Sequence, residues 1–338
     1  MRLPVFNGGI IGAPGGWRFD LNQACDQVLA YDYRRVLPFA QTKIHRKSDM
    51  NVQPPSPLQI DPISPAGGAA ITGIDLSQPM SAGDTEAIKA AFHKYGMIVI
   101  RDQDIENDDQ IRFCEAMGGT ATRGKPADQR AQDGDASYGG AVHLVTNLTE
   151  DGKPLGSFGD GEVWFHHDGS FKEIPYAATV LYGLAVTSTG GETVFANMYQ
   201  AYDRLPTSTK RRIDRLTALN IYDYAATGRV DLDQDISGIN HWIHPIVIRH
   251  PDTRQKALYI SPLITARIEG VPKDESDALL KELFAYVEDA DIQFEHKWRV
   301  GDLAMMDNRC MTHARRDFPA GEPRMLRRTM VEGVAIGA

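Results

Sequence analysis

The chain reads as a mainly β protein with peripheral helices, of β-sandwich or jelly-roll type, and three observations carry that reading. Short apolar segments bounded by glycine and polar turns recur along most of its length. Helical periodicity is confined to a few segments. Strand and helix alternate too irregularly for a doubly wound sheet, and neither GxGxxG nor GxxxxGK[ST] occurs, which removes the phosphate-loop readings.

Taken in order, residues 1–58 differ from the rest. They carry Gly8-Gly9, Pro14-Gly15-Gly16 and Pro54-Pro55-Ser56-Pro57, with a helix expected over 21–31. This segment reads as an N-terminal extension, a packed arm or a lid, and 59–338 as the main domain. Regular patterning begins with a strand over 70–76. Ser81 followed by Asp84 is a helix-starting pair, Ile88, Ala91 and Phe92 recur at helical spacing, and Gly96 is a stop. A buried strand is expected over 97–100 and an amphipathic helix over 107–117. Residues 118–160 are rich in glycine and charge and read as a long functional loop, with one apolar patch at 141–145. Strands follow over 179–186 and 192–196, the second after the turn Thr189-Gly190-Gly191. Helices are expected over 198–205 and 207–219, and another over 273–289. The C-terminal third otherwise returns to strands, over 245–249, 257–260, 294–298, 303–307 and 327–334.

Composition excludes several classes of function. The 338 residues carry a formal net charge of −9, so neither a general nucleic-acid binder nor a binder of anionic membranes is favoured. An acidic whole can still enclose a basic pocket. Three cysteines, Cys25, Cys114 and Cys310, make neither a disulfide framework nor a Cys-type zinc site. Cys310 reads as a small buried hydrophobe. The N-terminus lacks the apolar run of a signal peptide, and no stretch approaches the roughly 20 apolar residues of a membrane helix. A soluble, cytoplasmic protein is the expectation. The sequence is compatible with a homo-oligomer and does not specify one.

Chemistry concentrates at Val163-Trp164-Phe165-His166-His167-Asp168-Gly169-Ser170-Phe171. Side chains alternate faces along a strand, so His166 and Asp168 point the same way and His167 the other way. His313, far downstream, offers a second imidazole. Two His and one carboxylate leave one face of a metal open, which is the ligand set of non-heme Fe(II) oxygenases. With ten histidines in the chain an H-x-D triplet also arises by chance, so the triplet alone is weak evidence. Arg324, Leu326 and Arg328 would share one face of a strand just after His313. Two core-facing guanidinium groups are costly unless anions meet them, and their fork suits carboxylates. Internal ion pairs are the commoner role for a lone arginine. Gly190-Gly191-Glu192-Thr193 permits a tight turn that presents the Thr193 hydroxyl.

Together these segments resemble the taurine dioxygenase / 2,4-dichlorophenoxyacetate dioxygenase family of Fe(II)- and 2-oxoglutarate-dependent oxygenases. The matching blocks are Gly73-Ile74-Asp75-Leu76, Tyr95-Gly96-Met97-Ile98-Val99-Ile100, His166-His167-Asp168-Gly169-Ser170-Phe171, Gly190-Gly191-Glu192-Thr193, His244-Pro245-Ile246-Val247, and Asp307-Asn308-Arg309 with His313 and Arg324. Their joint occurrence in this order, over about 60–333, is far more specific than any one block. The resemblance implies a double-stranded β-helix, a distorted jelly roll. It implies Fe(II) held by His166, Asp168 and His313, and 2-oxoglutarate clamped by Arg324 and Thr193, with O2 as oxidant and succinate and CO2 released. It implies that Arg328, assisted by the Gly169 backbone and beside Phe171, meets a small acidic substrate. A filled carboxylate position at Asp168 disfavours halogenation and leaves hydroxylation, desaturation or ring formation. Phe165 stands where the family commonly has tryptophan, and 1–58 and 118–160 fall outside the match, so the substrate does not carry over. Two other readings keep the same site: a zinc hydrolase, and a catalytically silent 2-oxoglutarate-binding protein.

Overall fold

The computed structural model describes residues 57–121, 141–222 and 230–337. The extension read at 1–58, its helix at 21–31 and Cys25 lie outside the described residues, apart from Pro57 and Leu58. The middle of the loop read at 118–160, residues 122–140, is likewise outside them.

Strands β1 (Gln59–Ser64) and β2 (Gly67–Thr72) form a hairpin, and β2 ends where Gly73 turns with φ 84°. Helix α1 (Ala82–Tyr95) starts as the sequence predicts: the Ser81 hydroxyl accepts from the Asp84 amide at 3.0 Å. It ends on Gly96 in the left-handed region, φ 70°, where a glycine carries no steric penalty. Strand β3 (Met97–Ile100) and helix α2 (Asn107–Met117) also match expectation. Then come β4 (Thr120–Ala121), β5 (Val142–Thr146), the small hairpin β6 (Thr149–Glu150) and β7 (Lys153–Pro154), β8 (Val163–His166), β9 (Ala178–Ala185) and β10 (Thr193–Asn197). Helices α3 (Met198–Arg204) and α4 (Thr207–Ile213) precede β11 (Thr217–Tyr222), β12 (Asn240–Pro245), β13 (Val247–Arg249), β14 (Lys256–Leu258) and β15 (Thr265–Ile268). Helix α5 (Lys273–Val287) leads to β16 (Gln293–His296), β17 (Leu303–Asp307), β18 (Met311–Arg315) and β19 (Met325–Val331).

Two sheets position the site. The larger runs β1-β2-β3-β17-β9-β19-β4, with β5 also on β19, and the smaller runs β16-β10-β18-β8. Alternation sorts the core between them. Ile98, Ile100 and Met305 pack with Ile88 and Phe92 of α1 and Phe113 of α2. Their neighbours Met97, Val99 and Met306 turn the other way and meet Phe195, Phe294 and Met311 of the smaller sheet. Beyond the smaller sheet, Leu279, Leu280 and Leu283 of α5 pack on Ala218 and Ile246. Burying each such side chain stabilises the fold by roughly 1.5–3 kcal/mol. The protein is thus mostly β with few helices, and no described helix is long and apolar enough to cross a membrane.

Some expectations are corrected. The helix expected over 207–219 stops at Ile213, and the remainder is β11, paired with β12 and β15. Ala218, Leu219, Asn220 and Ile221 are all buried, so this strand is covered on both faces and shows no alternation. The apolar patch at 141–145 is a strand paired with β19. Strands β1, β12, β15 and β18 were not expected, and β18 is buried at all five positions.

Candidate active site

The smaller sheet brings the predicted donors together. His313 on β18 pairs in register with His166 on β8, and their imidazole centroids are 4.1 Å apart. Asp168, two residues past His166, places Oδ1 3.6 Å from His166 Nε2 and Oδ2 3.9 Å from His313 Nε2. One donor atom from each lies within 4.8 Å of the other two, which is the spacing of ligands around a single ion. Gly169 turns the chain away at φ 78°, and a Cβ there would stand 2.6 Å from the Tyr176 ring.

Hydrogen bonding sets the donors' orientation and protonation. His166 Nδ1 donates to the Trp164 carbonyl at 2.8 Å, which leaves the Nε2 lone pair free to bind an ion. Burial holds His166 below the ordinary imidazole value and pushes His313 down to about 3, where the nearby His166 adds a smaller push. Both rings are therefore neutral, as metal ligands must be. Burial opposes ionisation of Asp168, but Arg328, His313, His166 and the Thr179 hydroxyl outweigh it and hold the carboxyl well below its usual range. Thr179 donates to Asp168 Oδ2 at 2.7 Å, Asn308 donates to Thr179 at 3.1 Å, and Asn308 accepts from the Asp168 amide at 3.4 Å. Two neutral imidazoles and an anchored carboxylate fit a divalent cation. His167 points away from them, its ring tilted against Tyr259 at 4.6 Å, and burial pushes its pKa down to about 3.

The cavity above the triad continues to Thr193, Arg324 and Arg315. Arg324 is 3% exposed, and its Nε and Nη2 reach only the Gly191 carbonyl, at 3.3 and 3.1 Å. Among the described residues its Nη1 has no hydrogen-bond partner, and burial, reinforced by Arg315, pushes the pKa down to about 9. Thr193 accepts from Trp298 Nε1 at 2.9 Å, so its own proton remains to be donated. A cation with an unused donor beside a hydroxyl is complementary to a carboxylate. The Phe318 ring lies under both guanidinium groups, 5.2 Å from Arg315 Cζ and 5.9 Å from Arg324 Cζ.

Arg328 shares a face with Arg324 and Leu326, as the strand alternation predicts. It lies 3.7 Å from Asp168 Oδ1, and its Nε donates to His143 Nε2. Arg327 points to the opposite layer and bonds to Gln110, Asn107 and the Ile105 carbonyl. A second lobe of cavity opens past Asp168 and Arg328, lined by Gly169, Phe171, Tyr222, Leu263, Ile264 and Met330. Phe171 and Tyr222 stack there at 5.5 Å.

A second group of metal-capable residues, His250, Asp307 and Cys310, is already filled. Arg309 forks onto both Asp307 oxygens at 2.8 and 2.7 Å, and His250 Nε2 adds 3.0 Å. It braces the turn between β17 and β18. Sequence reading missed Thr179, Asn308, His143, Phe158 and Arg315 as site residues. For Arg315 a signal existed, since it stands two residues after His313 as Asp168 does after His166.

Comparison with known proteins gives a consistent result. The family model for taurine catabolism dioxygenase TauD, TfdA matches residues 59–330. The chain is 29% identical over 284 residues to the alpha-ketoglutarate-dependent 2,4-dichlorophenoxyacetate dioxygenase of Cupriavidus pinatubonensis, covering 79% of this chain and 95% of that protein. A candidate alpha-ketoglutarate-dependent taurine dioxygenase from Burkholderia xenovorans superposes with a TM-score of 0.69 at 26% identity, over 82% of this chain and 91% of that one. The structure of AAD-2 in complex with Mn(II) and N-oxalylglycine does so with a TM-score of 0.67 at 28% identity, over 82% and 98%.

Proposed function

Since the chain belongs to the taurine catabolism dioxygenase TauD, TfdA family and is a 2-oxoglutarate-dependent dioxygenase, we propose that its metal is Fe(II), that His166, Asp168 and His313 hold it, and that it oxidises a small organic acid. The observation that carries this is the buried, half-used Arg324 guanidinium beside three converging metal donors. Arg324 and Thr193 take the distal carboxylate of 2-oxoglutarate. Arg328 takes the acidic group of the substrate, whose body rests among Phe171, Tyr222, Leu263 and Ile264, with Gly169 keeping the floor free of a side chain. The relative from Cupriavidus acts on 2,4-dichlorophenoxyacetate, an acid with an apolar body, in keeping with such a lobe. The two sheets are read as a double-stranded β-helix occupying 59–338, with 1–58 as an extension.

When bound, the metal supplies the redox chemistry that couples decarboxylation of 2-oxoglutarate to substrate oxidation by O2, releasing succinate and CO2. The chain's own residues orient and exclude water. Thr179 and Asn308 hold the carboxylate of Asp168 in one pose, the Trp164 carbonyl fixes the His166 tautomer, and the apolar lobe keeps water from the reacting carbon. With Asp168 filling its position, the outcome is hydroxylation, desaturation or ring formation rather than halogenation.

The test is spectroscopic. Anaerobic Fe(II) with 2-oxoglutarate should give a visible charge-transfer band in the wild type and none after His166→Ala with Asp168→Ala. A band that persists in the double variant, or a wild type without one, removes the assignment. Screening organic acids for succinate release then identifies the substrate.

A further inference from the structure

Arg315 is a buried cation that neither the metal nor the 2-oxoglutarate clamp uses. It leaves β18 on the cavity side, 7% exposed, and its guanidinium is spent on one short turn. Nε donates to the Gly161 carbonyl at 2.9 Å, and Nη1 donates to the Phe158 carbonyl at 2.6 Å. Nη2 donates to Gly159 at 2.8 Å and to Gly161 at 2.6 Å. Among the described residues it makes no ion pair within 4.0 Å, so the hydrogen bonds that offset its burial all come from main-chain oxygens. The turn it grips needs holding. Phe158 has φ 61°, a left-handed conformation that side-chain-bearing residues rarely adopt without outside support.

What the turn delivers is the phenyl ring of Phe158. That ring lines the lobe that holds Thr193 and Arg324, and it also lines the lobe that holds Phe171 and Tyr222. It therefore stands at the junction of the two, next to the triad. Arg328 Cζ lies 5.4 Å over its face, a cation–π contact that steadies the guanidinium proposed to meet substrate.

We propose that Arg315 is a positioning residue acting through Phe158, which it holds as the partition between the co-substrate and substrate lobes, and that this partition limits the bulk of the substrate anion. The proposal rests on the reading of those two lobes given above. A fork with five donors fits four carbonyl bonds in fixed directions; a lysine in the same place keeps the charge beside Arg324 and loses the grip. Charge and grip are thus separable.

Wild type, Arg315→Lys, Phe158→Ala and the double variant, each loaded with Fe(II), are compared for succinate formation with phenoxyacetate and with the bulkier 2-naphthoxyacetate. Hydrogen exchange of 157–161 is followed by mass spectrometry. Both single variants should shift the ratio of kcat/KM toward the bulkier acid by about tenfold, with the double variant no further shifted and KM for 2-oxoglutarate within about threefold of wild type. Exchange at 157–161 should rise in Arg315→Lys. Shifts that add in the double variant overturn the proposal, because Arg315 then acts by another route. So does an unchanged ratio with a raised KM for 2-oxoglutarate, which would make Arg315 part of the co-substrate clamp. If wild type oxidises neither acid, the proposed substrate class is what fails. The partition is then decided by 2-oxoglutarate consumption without added substrate, in which Arg315→Lys, Phe158→Ala and the double variant must agree; disagreement overturns it. Arg315→Gln replaces the lysine variant if that protein does not fold.

Discussion

Replacing Arg324 by Met separates a ligand clamp from a structural cation. The guanidinium is 3% exposed, has the Gly191 carbonyl as its acceptor, and leaves Nη1 without a hydrogen-bond partner among the described residues. Burial first, and the charge of Arg315 second, bring its pKa from 12.5 to about 9. At about 1.36 kcal/mol per pH unit, that fall corresponds to roughly 5 kcal/mol against the charged form. The sign follows from linkage: the folded state sheds this proton more readily than the unfolded chain, so the cost is present below about pH 9 and is relieved as pH rises toward 12.5. A carboxylate arriving at Nη1 recovers much of it. Met fills similar space, carries no charge, and removes cost and clamp together. The ligand-free protein should be no less stable, with a gain of roughly 1–2 kcal/mol once lost packing and the Gly191 contact are set against the relief. Affinity for 2-oxoglutarate should fall by about 2–4 kcal/mol, roughly 30- to 1,000-fold. Calorimetric titration of 2-oxoglutarate into anaerobic metal-loaded protein measures the second quantity, and denaturant unfolding of the ligand-free protein the first. A variant that binds 2-oxoglutarate within about threefold of wild type, yet loses about 2 kcal/mol of ligand-free stability, would show the reasoning to be wrong.

Three further outcomes are expected. Thr193→Val deletes the hydroxyl that accepts from Trp298 and leaves that indole N–H without its partner, so 2-oxoglutarate should bind about 5- to 30-fold more weakly by the same titration. Gly191→Ala forces a Cβ to within 3.1 Å of Arg324 Nε at a backbone φ of 68°, and should cost co-substrate affinity without abolishing metal uptake, which equilibrium dialysis reports. His167→Phe removes from the core two ring nitrogens that have no hydrogen-bond partner among the described residues. Its folded pKa, about 3, lies below the ordinary imidazole value of 6.5, so wild-type stability is lost as pH falls through that window. The contribution reaches about 1.4 kcal/mol per pH unit, and the variant should flatten unfolding free energy between pH 6 and 4 by one proton. It should keep the charge-transfer band, and loss of the band would make His167 a ligand and defeat the alternation argument.

How much was legible in the sequence depended on whether a local rule had a competitor. Helix α1 was readable to the residue because Ser81 and Gly96 satisfy cap geometry that needs no tertiary partner. Strand alternation picked His166 and Asp168 over His167, and separated Arg324 and Arg328 from Arg327, because one face is committed to the cavity and the other to the core, where His167 meets Tyr259 and Arg327 meets α2. It failed at β11 and β18, where every position but the ends of β11 is buried and periodicity vanishes. The failure at β18 hid Arg315. Thr179 and Asn308 escaped for another reason: each acts through Asp168, and nothing in a sequence marks a residue whose partner lies 11 or 140 positions away.

The local charges also account for how a protein of net charge −9 can serve anionic ligands. The cavity at the triad is lined by Arg315, Arg324 and Arg328 and, among the described residues, by one carboxylate, Asp168, while the imidazoles are held neutral. Arg328 Nη1 lies 3.7 Å from Asp168 Oδ1. If Asp168 ligates the proposed metal, its charge is shared with the ion, and Arg328 becomes the cation in need of an anion. On the proposed reading, loading the metal would ready Arg328 for the substrate's anion, and by reciprocity an anion at Arg328 would tighten the metal. A triad and an arginine pair that look like separate motifs along the chain would then act as one coupled unit through a single carboxylate.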